Sequence, residues 1–336
     1  HGVSVVALQE QRGNWSVVYS KANRRIHVNT PVEFTGPVVD SVEGRDLLDL
    51  NARPDDAKGT VNNCSSGYTP WGTYLTCEEN FNGYFGATTD AWTPTEAQER
   101  YGFSVGGFGY GWEEFDERFD LSNTMYKNED NRFGWVVEID PNNPNQKPVK
   151  RTALGRFKHE GATVTVGSGG RAVVYMGDDQ RFDYIYKFVS AGNWKSMRAR
   201  GMSPLDEGKL YVARFNDDGS GDWLELTIEN PILAAKFDNQ AEVLTYARLA
   251  ADELGATPMD RPEWTSVAPD GTVYCTLTNN SRRTEADAAN PLAPNADGHI
   301  IRWKDSDKHT GTSFVWDIFI IAQHTHGTED TFSDPD

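Results

Sequence analysis

The chain is short of cysteine, short of positive charge and without any long apolar run. Three cysteines in 336 residues are too few for a disulfide framework and leave at least one thiol unpaired. Lys and Arg number 32 against 50 Asp and Glu, for a formal charge of −18. Nucleic-acid binding is therefore not expected, because it needs clustered cations to neutralise phosphates. No apolar stretch approaches the ~18 residues of a membrane helix, so no membrane span is expected. Motifs of the GxSxG, P-loop and HExxH types are missing, and no GxGxxG run opens a helix. The first residues, HGVSVVALQE, have neither a starting Met nor a signal-peptide pattern, so they read as a mature or trimmed end.

What is present points to β structure. Aromatic residues make up 12%, including ten Trp, and Gly (31) and Pro (16) are plentiful. Three segments share one plan: TPWGTYLTCEEN with FGWVVEIDPNNPNQKPVKRTALG, HEGATVTVGSGGRAVVYMGDDQRFDYIYKFVS with GKLYVARFNDDGSGDWLELTI, and RPEWTSVAPDGTVYCTLTNNS with GHIIRWKDSDKHTGTSFVWDIFIIA. Each alternates Val, Ile, Tyr, Phe and Trp with polar residues, and turn residues separate the runs. Antiparallel four-stranded units repeated along a chain predict a β-propeller, of about three and a half blades here. An extended β-sandwich is the alternative fold. The expected domain is a single propeller over 1–336, a fragment of a longer chain. The opening residues should form a hairpin through QRGN. Residues 83–131 read as an inserted loop with a short helix near TEAQERYG, and 237–255 as one helix ended by Gly255.

In a propeller, equivalent strand ends meet near the axis. Glu160 (in HEG) and Glu263 (in RPEW) open their repeats at matching positions, and Cys77, Glu78 and Glu79 occupy the corresponding region of the first. Carboxylates brought together repel unless a cation neutralises them. Pairing with Arg261 and Lys158 is the alternative. A thiolate at Cys77 favours a softer transition ion while carboxylates suit calcium, so a mixed site is expected. A buried apolar residue is the alternative for Cys77, and Cys64 and Cys275 read that way too. In GDDQRFD, Asp178 and Asp179 are either calcium ligands or solvated turn residues. Arg261, two residues before Glu263, could bind phosphate bidentately or form a salt bridge.

The stretch NNCSSGYTPWGTYLTCEENFNGYF resembles the hallmark block of the PhoX-type alkaline phosphatases, and GRFKHEGATV, YMGDDQRFDYIYKFVS and RPEWTSVAPDGTVYCTLTNN resemble three further blocks in the same order. The resemblance implies a six-bladed propeller and a secreted or periplasmic phosphomonoesterase exported by the twin-arginine route; a monomer is expected. It also implies a cofactor of ferric iron and calcium (Fe3+ and Ca2+), phosphate monoesters as substrates, Cys77, Glu160 and Glu263 as metal ligands, Glu78 and Asp178 as further candidates, and Arg261 as the phosphate-binding arginine. A non-catalytic calcium-binding propeller module and a calcium-dependent propeller esterase or lactonase are the rival functions.

Overall fold

The computed structural model describes residues 2–323 and 331–333; the His324–His326 run lies outside the described residues. The chain is mostly β. A five-stranded sheet runs in the order Glu33–Thr35, Val149–Arg151, Val136–Ile139, Tyr74–Glu78 and Asn63–Tyr68, with its first strand added in parallel. The second repeat is an antiparallel meander of Thr163–Val166, Arg171–Gly177, Ile185–Asn193 and Gly208–Phe215. The third is a meander of Pro262–Val267, Val273–Leu277, His299–Asp305 and Ser313–Gln323. The Ser220–Glu225 strand pairs with both Gly208–Phe215 and Ser313–Gln323 and joins these meanders into one nearly closed sheet. Its two end strands meet, where Thr163 Oγ1 donates to Thr265 O at 2.6 Å. The opening hairpin forms as expected, Leu8–Gln11 against Asn14–Val17, but as a small sheet of its own.

Strand periodicity explains why the joined sheet carries apolar residues on both faces. Along Arg171–Gly177, Val174 and Met176 point into one core with Tyr186, Phe188, Leu210 and Val212. The alternate residues Val173 and Tyr175 enter a second core with Ile185, Tyr211, Cys275 and Trp303. Successive side chains of a strand face opposite ways, so a strand buried on both faces reads as a nearly continuous apolar run. The aromatic insertion builds a third core of Phe81, Phe85, Tyr101, Phe103, Phe119 and Phe133. Its short helix Glu96–Arg100 starts with a Thr95–Gln98 capping box.

The single helix expected over 237–255 is two helices, Gln240–Thr245 and Ala247–Glu253, broken at Tyr246. Tertiary donors take the carbonyls that a continuous helix would use: Arg156 N bonds Leu244 O at 2.9 Å, and Tyr101 OH bonds Thr245 O at 3.3 Å. Gly255, at φ 66°, follows the end of the second helix, the left-handed position where glycine is least strained. No helix among the described residues is long and apolar enough to cross a membrane.

The second core encloses a charged pair. Lys187 and Asp305 are both fully buried, with Nζ 2.8 Å from Oδ2. Asp305 also accepts from Tyr175 OH at 2.6 Å and Trp223 Nε1 at 2.7 Å. Removing one partner leaves a buried charge uncompensated, at a cost of about 3–5 kcal/mol. Asp305→Ala should therefore lose about that much unfolding free energy in denaturant titration, and adding Lys187→Met should recover part of it. An Asp305→Ala protein as stable as the parent would show that the pair is not holding the sheet.

Candidate metal centre

Cys64, Glu79 and Glu160 offer a thiol and two carboxylates whose ligand atoms all lie within 4.8 Å of one another. The strand Asn63–Tyr68 brings Cys64 there through an irregularity. Its register against Tyr74–Glu78 shifts between Asn63 and Ser66, and such a bulge re-aims a side chain out of strand alternation. Ser65 N then donates to Glu160 O at 2.8 Å, and Glu160 N donates to Gly177 O at 3.0 Å, which locks the first and second repeats together. The Cys64 thiol hydrogen-bonds the Glu160 carboxylate. Glu79 is held by Asn62 Nδ2 at 3.1 Å and by Asn80.

This donor set differs from the expected one. Cys77 is fully buried and packs with Leu75, Phe157 and Ala162 in the first core, outside the three-residue group. Cys64, expected to be an apolar core residue, is the exposed thiol. The signal was polarity: Cys64 sits among Asn and Ser in NNCSSG, while Cys77 ends the more apolar YLTC. Glu78 is fully occupied elsewhere. Its carboxylate takes Lys150 Nζ at 2.8 Å, with both side chains fully buried, and accepts the amides of Gly134 and Trp135. Asp178 is likewise engaged, paired with the buried Arg248. Glu160 lies in the group, and Glu263 and Arg261 lie beside it. Arg261 Nε and Nη2 bond the two oxygens of Asp179, both at 2.9 Å, and Glu263 Oε1 is 3.4 Å from Arg261 Nη2. Of the two alternatives for Arg261 the salt bridge is the one seen, and the residue also lines a cleft of about 580 Å3 with Asn80, Lys158 and Asp179. Arg261 adopts φ 62°, a left-handed conformation that costs a non-glycine residue about 1–3 kcal/mol and is concentrated at functional sites.

The loop carrying Asp178 and Asp179 is clamped from the helical insertions. Arg248 Nε bonds Asp178 Oδ2 at 2.8 Å, and Asp178 Oδ1 accepts Lys158 N at 3.2 Å, two residues before Glu160. Arg100 grips Asp183 with contacts of 2.6 and 3.2 Å. The sequence places Arg248 and Arg100 far from GDDQRFD, so no local pattern reveals them. Gly177, at the start of this loop, has no room for a side chain: a Cβ would stand 2.5 Å from Pro262 O. Arg248→Met should cost about 3–5 kcal/mol in unfolding free energy by leaving Asp178 and Asp183 buried against each other. Asp178→Asn in the same chain should restore part of that loss, and a neutral effect of Arg248→Met would show that the clamp is not needed.

Crowding shows in the acids. Burial, then the charges of Asp179 and Glu160, push the Glu79 carboxyl up to about 8. Burial also raises Glu160 to about 7; Asp179 and Glu263 add to this shift and Cys64 opposes it. The Cys64 thiol is raised too, first by partial desolvation, although the residue as a whole is exposed, and then by Glu160. Both carboxyls bind protons more tightly folded than unfolded, so between their ordinary range and about 8 the folded state holds the extra protons and stability falls as pH rises. In chelator-stripped protein, the melting temperature should therefore fall from pH 5 to pH 8. The Glu79→Gln/Glu160→Gln double variant should flatten that slope, and an unchanged slope would remove these two groups as its source.

The model of the family "Alkaline phosphatase PhoX" matches residues 1–336. A search among curated proteins finds no match. A solved structure, Pseudomonas fluorescens PhoX in complex with vanadate, a transition state analogue, superposes with a TM-score of 0.88 at 47% identity, covering 99% of this chain. The chain spans 60% of the length of that protein. A match over the whole chain, together with near-half identity to a solved member, places this chain in the PhoX alkaline phosphatase family.

Proposed function

We propose that this chain carries the metal and phosphate site of a phosphomonoesterase, releasing phosphate from small organic phosphate esters. The observation that carries the reading is the convergence of Cys64, Glu79 and Glu160 within 4.8 Å, next to a cleft lined by Arg261, Asp179 and Lys158. The donor chemistry fits a mixed centre. One thiolate with carboxylates suits a transition ion such as ferric iron. Glu263, offering oxygen alone, suits calcium. Cys64 thus takes the soft-ligand place expected of Cys77, and Glu79 takes the place expected of Glu78. Bound there, iron and calcium supply Lewis-acid polarisation of the phosphoryl oxygens.

The chain's own residues do the rest. Asp179 fixes the Arg261 guanidinium through two bonds of 2.9 Å from Nε and Nη2, which do not use Nη1. A guanidinium held in advance can neutralise charge that develops on the transferred phosphoryl group without reorganising. Lys158, anchored on Gln180 Oε1 at 2.8 Å, adds positive charge on the same wall. Phe108 and Phe182 also line the cleft and suit the carbon skeleton of an ester. The four-stranded repeats and their joined ends support a propeller architecture, and the family supports export to the periplasm or outside the cell. A monomer is the state proposed for the protein.

Turnover of p-nitrophenyl phosphate by metal-loaded protein, with and without chelator, tests the function. Arg261→Ala should lower kcat about 10²–10³-fold, the scale of losing one preorganised oxyanion donor. Cys64→Ala should lose iron and activity together. Cys77→Ala should keep both and lose only about 1–2 kcal/mol of stability, as a core truncation does. Iron retained in Cys64→Ala but lost in Cys77→Ala would reverse the ligand assignment. Calcium binding without iron or turnover would identify a non-catalytic module instead.

A further inference from the structure

The cleft beside the metal centre is far larger than a phosphoryl group. At about 580 Å3, it falls in the range of sites that enclose a whole small ligand. Its lining holds four basic residues, Lys158, Arg181, Arg261 and Arg282, against a single carboxylate, Asp179. Asp179 is already committed to Arg261 through both oxygens, and Lys158 is committed to Gln180. The other two cations are not neutralised. Among the described residues neither Arg181 nor Arg282 has a carboxylate within ion-pair distance. Arg181 Nε is moreover buried with no hydrogen-bond partner. A buried, unmet guanidinium nitrogen of Arg181, with the exposed and unpaired Arg282 lining the same cleft, suits an anion from outside even in a chain with a net charge of −18.

The backbone carrying these two arginines is held firmly. Asp260 is fully buried. Its backbone bridges to Arg181, and its carboxylate accepts from Asn280 Nδ2 at 2.8 Å and Arg283 Nε at 2.6 Å. Asn280 in turn accepts the Arg282 amide at 3.1 Å. The adjoining Phe182 amide donates to Met259 O at 2.8 Å, and the Arg283 guanidinium covers the Phe182 ring at 5.3 Å. One buried acid therefore ties together the two loops from which Arg181 and Arg282 reach the cleft. The lining of the same cleft also includes two aromatic rings, Phe108 and Phe182, at 49% and 38% exposure.

We propose that Arg181 and Arg282 form a second anion subsite, which selects phosphomonoesters whose leaving group carries its own anionic group, a carboxylate or a further phosphate. This rests on the phosphomonoesterase reading, since it assigns a second pair of cations in the same cleft. Phosphate at Arg261 and the second anion at Arg181 and Arg282 would bracket an apolar or hydroxylated spacer lying along the phenyl rings. Planar guanidinium groups take carboxylate and phosphate through paired, charge-assisted bonds.

The test compares esters matched in length. Metal-loaded protein should hydrolyse 3-phosphoglycerate with a kcat/KM about tenfold above that of glycerol 3-phosphate, which has a hydroxymethyl in place of the carboxylate. Propane-1,3-diyl bisphosphate against 3-hydroxypropyl phosphate gives the same comparison for a further phosphate and shows which anion is preferred. In R181Q and R282Q, and most in the double variant, each ratio should fall toward one. Ratios near one in the parent protein, or ratios unaltered in the variants, would overturn the subsite. Titration with phosphonate analogues of the same pairs reads the subsite without turnover. Should no ester be hydrolysed, the phosphomonoesterase reading fails, and equal affinities for the charged and uncharged phosphonates would then overturn the subsite separately.

Discussion

Repulsion among buried acids is the constraint on which the centre of this molecule depends. Glu79, Glu160, Asp179 and Glu263 converge where the strand ends of all three repeats meet, together with the Cys64 thiol, and the raised carboxyls of Glu79 and Glu160 register the crowding. Such an arrangement survives only if the backbone around it is over-determined. The backbone meets that demand by making the acids share their anchoring. Glu160 uses its amide and carbonyl to join Gly177 and Ser65, so the residue that brings charge to the site also bonds two sheets to each other.

Arginines carry the compensation, and they come mostly from outside the strands. Arg248 from the second helix of the 240–253 pair and Arg100 from the aromatic insertion hold Asp178 and Asp183, which leaves Asp179 free to orient Arg261. The insertions that lengthen the repeats are thus braces for the site. The 240–253 helices are short because tertiary donors from Arg156 and Tyr101 meet the carbonyls of Leu244 and Thr245 between them, and the second of the pair carries Arg248 to the acidic loop. The aromatic core of the insertion buries Tyr101 against Arg156 and Arg248, so apolar packing and charge compensation are built from the same side chains.

The buried ion pairs follow one logic at two places. Lys150 with Glu78 stiffens the first repeat directly behind Glu79, and Lys187 with Asp305 ties the second repeat to the third. Each removes a carboxylate from competition for a cation. Glu78 shows this best. It is adjacent in sequence to a donor, but strand alternation turns it to the opposite side, where Lys150 and two backbone amides satisfy it.

Local pattern was enough for the strands and for the acids that open the repeats. Period-two alternation, turn residues and aromatic content encode the four-stranded units. The matching positions of Glu160 and Glu263 encode their convergence, because equivalent strand ends of a repeated unit must meet. Arg261 was legible for the same reason, being fixed two residues from Glu263. Which cysteine faces the acids was not encoded locally. Both thiols sit on paired strands, and a one-residue bulge at Cys64 and Ser65 exchanges inside for outside. The partners of Glu78, Asp178 and Asp179 were likewise decided by tertiary structure alone, since Lys150, Arg248 and Arg261 stand about 70 to 82 residues away. Sequence distance carries no trace of such pairing, because a charge finds its partner only after the sheets and insertions have packed.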